Sequence, residues 1–165
     1  MTNGNYASSV TLPSDREIVM SRVFNAPREL VFKALTDPHL IPQWWGQRNS
    51  TTFVDKMDVR PGGIWRFVER AADGNEYAFN GVYREIVPPE RVVQTFGFEG
   101  MPGHIVVETM TLEAINGKTR VTTTSQFDSV EDRDAMLQSG MEAGANESWD
   151  RLEELLAKAQ REKES

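Results

Sequence analysis

The sequence predicts an α+β fold in which a curved antiparallel sheet of about seven strands wraps a long C-terminal helix, with two short helices after the first strand. Three observations lead there. Residues 50–127 form a succession of β-type segments separated by tight-turn signals. From Met141 onward, apolar residues recur at helical spacing. A sheet of that width cannot bury a whole face under one flat-lying helix, so the economical packing curls the sheet around it.

The elements follow in order. "MTNGNYASSVTLPS" (1–14) is polar and lacks periodicity, and reads as a disordered tail. "REIVMSRVF" (16–24) is the first strand of the fold. In "NAPRELVFKALTD", Asn25 or Ala26 opens a helix with Pro27 in the first turn, where its missing N–H costs nothing. Leu30, Val31, Ala34 and Leu35 share one face of that helix. Asp37-Pro38 restarts a helical turn that Pro42 limits to residues 38–45.

Six strands follow: "TTFVDKMDV", "GIWRFVER", "EYAFNGVYREIV", "RVVQTFGF", "HIVVETMTLEAI" and "KTRVTTTSQF". They are punctuated by "RPGG", "DG", "PP", "EGMPG" and "NG"; Asp73-Gly74 and Asn116-Gly117 are the strongest hairpin signals. Connections this short require antiparallel neighbours. Ser129, with Asp132 three residues on, resembles a helix-opening capping box. Gly140 and Gly144 are expected to interrupt or bend the segment that follows. Beyond them Met141, Ala145, Trp149, Leu152, Leu156 and Ala159 mark the apolar face of a helix of about five turns.

Composition narrows function by exclusion. The chain has 165 residues, 25 acidic against 18 basic, and a net charge of −7. That balance argues against nucleic-acid binding, which needs concentrated Lys and Arg. No apolar run approaches the roughly 20 residues of a membrane span, and no signal peptide opens the chain, so the expected location is cytoplasmic. With no cysteine, disulfides, thiol nucleophiles and thiolate metal sites are excluded. No metal-ligand spacing, nucleophile elbow, phosphate loop or dinucleotide fingerprint occurs, and no cofactor is implied.

The aromatic and methionine set carries the strongest functional signal. Trp44, Trp45, Phe53, Trp65, Phe67, Phe79, Phe96, Met110, Met141 and Trp149 exceed what a closed core of this size requires, and such residues line adaptable apolar pockets. They are the candidate ligand-binding residues. Adjacent helical residues point about 100° apart, so Trp44 and Trp45 cannot sink equally into one site. The expected split has Trp44 packing inward with Leu40 and Trp45 bordering an entrance. Polar residues also lie within the strands: Arg66, Glu69, Asn80, Arg84, Gln94, Glu108 and Gln126. On a one-sided sheet most face water. Glu108, flanked at period two by Val106 and Met110, is the one singled out to face inward, where burial would raise its pKa.

Four segments in order, "FNAPRELVFKALTDPHLIPQWWG", "DVRPGGIWRFV", "FNGVYREIVPPERVVQTFGFEGMPGH" and "SGMEAGANESWDRLEELL", resemble the SRPBCC (START-like, birch-pollen-allergen-like) superfamily. More narrowly they resemble the activator of heat-shock protein 90 ATPase homologue-like family. The resemblance implies one helix-grip domain over residues 15–160, with a cavity between the concave sheet and the C-terminal helix. That superfamily includes ligand carriers, cyclases and co-chaperones. The leading expectation is therefore carriage or sequestration of a small apolar or amphipathic ligand, with no covalent chemistry required. A co-chaperone role in the stress response, with a heat-shock chaperone as partner, is the alternative. A cyclase- or hydrolase-type enzyme using His104 or Glu108 is the third reading. His104, after "GMPG", would sit on the cavity rim, whereas His39 reads as a surface or capping residue. A homodimer would form through exposed strand edges or the Trp segment. One departure is informative: the family's Gly-Trp pair on the last helix is Gly144-Ala145 here, with the indole one turn later at Trp149.

Overall fold

The computed structural model describes residues 8–164. In chain order these form β1 (Ser9–Thr11), β2 (Glu17–Phe24), α1 (Arg28–Thr36), a 3-10 turn (Ile41–Gln43), β3 (Thr51–Met57), β4 (Ile64–Arg70), β5 (Glu76–Val87), β6 (Arg91–Phe98), β7 (Ile105–Ile115), β8 (Lys118–Phe127), α2 (Val130–Gln138) and α3 (Met141–Glu164). The strands make one antiparallel sheet ordered β1-β2-β8-β7-β6-β5-β4-β3. The expected α+β helix-grip architecture is therefore present, with one strand more than the sequence suggested. The additional strand corrects the tail reading: Ser9–Thr11 pair with Ser21–Val19 of β2, and Val10 packs against the core. Three residues were too few to show a strand period in sequence. Residues 1–7 of the expected tail lie outside the described residues.

Local chemistry explains the geometry. Asn116 and Gly117 both have positive φ, 51° and 83°, the geometry of a two-residue hairpin whose twist matches its strands. Register shifts between Val54 and Lys56 and between Tyr83 and Glu85 bend the sheet. Gly81 lets β5 pass under Trp65: a Cβ there would lie 2.5 Å from the indole Nε1 and 1.8 Å from the Thr95 carbonyl oxygen. On edge strand β3, the bulge and the charges of Asp55 and Lys56 discourage further pairing.

α1 buries Val31, Phe32, Ala34 and Leu35. Near its end the Ala34 carbonyl would ordinarily accept from residue 38, but Pro38 has no N–H. Trp44 supplies the replacement, its Nε1–H donating to Ala34 O at 2.9 Å. Ser129 caps α2, accepting from the Asp132 N–H at 3.1 Å. Gly140, at φ 84°, separates α2 from α3. Gly144 does not interrupt the segment as expected: α3 runs through it. Inward residues of β2, namely Ile18, Met20, Arg22 and Phe24, alternate with less buried ones. At this packed end Phe24, Leu152 and Leu156 are buried, and Phe24 meets Trp149 edge-on at 5.6 Å. The guanidinium of Arg22 pairs with Asp150 at 2.8 Å and Glu153 at 3.8 Å, fixing α3 to β2.

Candidate functional site

Between the concave face of the sheet and the first turns of α3 lies a cavity of about 370 Å³. This is within the roughly 300–1000 Å³ of ordinary small-molecule sites. Strands β2 and β4 to β8, the 3-10 segment and all three α-helices contribute to its wall. Two small residues on α3, Gly144 and Ala145, face it where a bulkier side chain would fill the space.

Eight of the ten expected ligand-binding residues come together on this wall: Trp44, Trp45, Phe67, Phe79, Phe96, Met110, Met141 and Trp149. Trp44 is 6% exposed and held by its bond to Ala34; Trp45 is only partly buried and meets Phe67 and Phe79 edge-on, both at 5.3 Å. Phe79 in turn stacks on Phe96 at 5.5 Å. These rings form a continuous aromatic flank.

Two expected residues are absent from the wall. Phe53 is 44% exposed, because β3 turns Thr52 rather than Phe53 inward, and the Arg70 guanidinium lies over its ring at 5.2 Å. Trp65 is 1% exposed but packs behind Phe67 and Phe96, with its Nε1–H donating to Thr95 O at 3.2 Å. It supports the wall without facing the void. The expected rim position of His104 is also corrected. Its ring is 52% exposed on the β6–β7 connection, outside the wall, and its Nδ1 lies 2.9 Å from Asp132 Oδ1 on α2. His39 is exposed, and its backbone N–H donates to Asp37.

Glu108 faces the cavity. Antiparallel register carries a polar row across the floor: Tyr83 on β5 opposite Gln94, Gln94 opposite Glu108, and Glu108 opposite Ser125 on β8. All four line the void. Gln94 Nε2 donates to Glu108 Oε1 at 3.4 Å, a long and weak bond. The carboxyl of Glu108 is pushed up to about 7, because desolvation of the charged form outweighs the Gln94 contact. Burial likewise raises the Tyr83 phenol above its ordinary value. Among the described residues neither the Tyr83 nor the Ser125 hydroxyl has a hydrogen-bonding side-chain partner. By contrast Arg66 and Asn80 both donate to Glu99 on the opposite, solvent-facing side, as expected for most strand polar groups. There the Arg66 guanidinium and Asn80 amide hold the Glu99 carboxyl down at about 2.

Tyr83, Gln94 and Ser125 were not identified as site residues in the sequence, yet the turn positions contained the signal. The two-residue Asn116-Gly117 hairpin sets Glu108 against Ser125, and the "EGMPG" connection sets it against Gln94. Among the described residues no group of three or more His, Cys, Asp or Glu could hold a metal ion, and no helix is long and apolar enough to cross a membrane.

The model of the family described as activator of Hsp90 ATPase homolog 1-like protein matches residues 25–157. The chain belongs to this family. No curated protein matches the sequence. Solved structures agree on the fold. A Rhodobacter sphaeroides protein is 25% identical, with 91% of this chain and 97% of the other covered and a TM-score of 0.86. A Chromobacterium violaceum protein is 27% identical over 87% and 98% of the two chains, with a TM-score of 0.74. An Arthrobacter aurescens protein is 24% identical over 91% of each chain, with a TM-score of 0.84, a likeness of fold alone. This family has the START-like helix-grip architecture that the four sequence segments resemble.

Proposed function

We infer that the chain binds and holds a small apolar or amphipathic molecule between the sheet and α3. The observation that supports this reading is the cavity itself, about 370 Å³ flanked by Trp44, Trp45, Phe67, Phe79, Phe96 and Trp149. Apolar surface left around a void of this size favours an apolar occupant, since filling it restores dispersion contacts and removes surface from water. Polar groups are confined to the floor, where they would orient one end of the occupant.

Titration with the neutral fluorophore N-phenyl-1-naphthylamine tests the reading. Its emission should rise on binding while tryptophan emission is quenched. Ala145→Trp places an indole at the cavity wall and should abolish uptake while leaving the far-UV circular dichroism intact. Equal uptake by a folded Ala145→Trp variant would reject the site.

ATPase activation, the activity in the family description, is a second reading, supported by the match over residues 25–157. It requires the full chain to accelerate ATP turnover by a heat-shock ATPase, and unchanged turnover rejects it. An enzymatic role through His104 has no such support, because His104 is engaged by Asp132 outside the cavity wall.

A further inference from the structure

Resting on the ligand-binding reading above, we propose that the cavity selects a lipophilic amine, its ammonium seated at the Glu108 carboxylate and its apolar body against the aromatic flank.

The titratable side chains lining the void are Glu108, Glu69 and Tyr83, and among the described residues of the wall there is no Lys, Arg or His. A bound carboxylate or phosphate would therefore find no counter-charge, and would face a carboxyl group instead. Fatty acids and other anionic amphiphiles are disfavoured for that reason.

Other carboxylates of the fold have closer partners than Glu108. Glu69 accepts from the Gln47 backbone N–H at 3.0 Å and the Ser50 hydroxyl at 2.6 Å. Glu153 accepts from the Asn25 backbone N–H at 3.2 Å and lies near Arg22. Glu99 is held by Arg66 and Asn80. Glu108 has only the 3.4 Å approach of Gln94, and that amide cannot balance its charge. It is the carboxyl of the set whose missing partner could come from the void.

One step along the same strands, Phe96 pairs with Val106, and Phe96 stacks on Phe79. Aromatic faces next to a desolvated carboxylate attract a cation and repel an anion. The Gln94 carbonyl oxygen and the Ser125 hydroxyl can accept the remaining ammonium hydrogens. A neutral alcohol would satisfy one hydrogen bond and leave the carboxyl to carry its own desolvation. An ammonium satisfies both.

Binding is linked to a proton. Burial holds Glu108 partly protonated at neutral pH in the empty cavity, and an ammonium favours the carboxylate. Seating the amine thus expels a proton from Glu108.

The test uses the full chain and three probes with one ten-carbon tail: decylamine, 1-decanol and decanoate, each displacing N-phenyl-1-naphthylamine. Decylamine should bind about tenfold or more tighter than decanol, the weight of one charge-assisted bond in a dry site, with decanoate weakest. Glu108→Gln should remove the preference, so that the variant binds decylamine no tighter than decanol. Calorimetry of the wild-type chain near pH 7, in two buffers of different ionisation enthalpy, should show release of about half a proton per decylamine and none with decanol. Decylamine binding no tighter than decanol, or release of no proton, overturns the amine assignment while the cavity reading stands. If no probe and no fluorophore binds, both readings fall. Should the variant not fold, the rank order and proton release of the wild-type chain decide.

Discussion

Glu108→Gln should stabilise the ligand-free protein, and by an amount that depends on pH. The carboxyl has an ordinary value of 4.5 and is pushed to about 7 in the folded chain. Between those values the native state holds a proton that the unfolded chain has lost. Stability therefore falls as pH rises through that window and stays low above it. At about 1.4 kcal/mol for each pH unit between the two values, the full penalty is roughly 3 kcal/mol, most of it accrued between about pH 5 and 8. Glutamine preserves the shape and cannot ionise, so the variant escapes the penalty. Urea denaturation at about pH 5 and pH 8 should show the variant gaining about 2 kcal/mol over wild type between the two conditions. Other titrating groups, including Glu153 with its raised pKa, remain in both chains and cancel in the difference. A variant whose offset from wild type stays constant from pH 5 to 8 would refute the reasoning, because Glu108 would then ionise as freely as in the unfolded chain.

Two further substitutions test how the wall is supported. Gly81→Ala forces a Cβ against the Thr95 carbonyl and the Trp65 indole, so it should cost about 3 kcal/mol or prevent folding, read as a lowered urea midpoint. Trp44→Phe keeps an aromatic ring but leaves the Ala34 carbonyl without its indole donor; a loss of about 1–2 kcal/mol is expected, and an unchanged midpoint would show that water replaces the bond.

The legible parts of this molecule are those governed by local periodicity and turn chemistry. Strand alternation, the Asn116-Gly117 hairpin and the apolar face of α3 were readable because each depends on residues a few positions apart. Ser9–Thr11 was not, since three residues acquire a strand identity only from their partner β2. Phe53 and Trp65 show the limit on side chains. Phe53 faces out of β3, and Trp65 is buried behind Phe67 and Phe96, because strand pairing and the close crossing at Gly81 involve residues far apart in the chain. Glu108 was visible through its apolar neighbours at period two. Its companions Tyr83, Gln94 and Ser125 became visible only when several hairpin registers were aligned together.

The cavity owes its place to a difference along one helix. Toward its C-terminal half, α3 presents Leu152 and Leu156 to the core, and both are fully buried. A charged group there, Arg22, is matched by Asp150 and Glu153 from the helix itself. One to two turns earlier α3 presents Gly144, Ala145 and Ser148, which are too small to reach the floor, and no cation from the helix answers Glu108. The indole of α3 stands at Trp149, where it packs edge-on against Phe24 at the filled end. The small residues of α3 and Glu108 thus line the same void. A chain selected only for stability would gain by filling that space with a leucine and replacing Glu108 with an apolar residue, since burying an acid with no counter-charge weakens the fold. The hollow and the acid add to each other's cost, and an occupant of the kind proposed would relieve both.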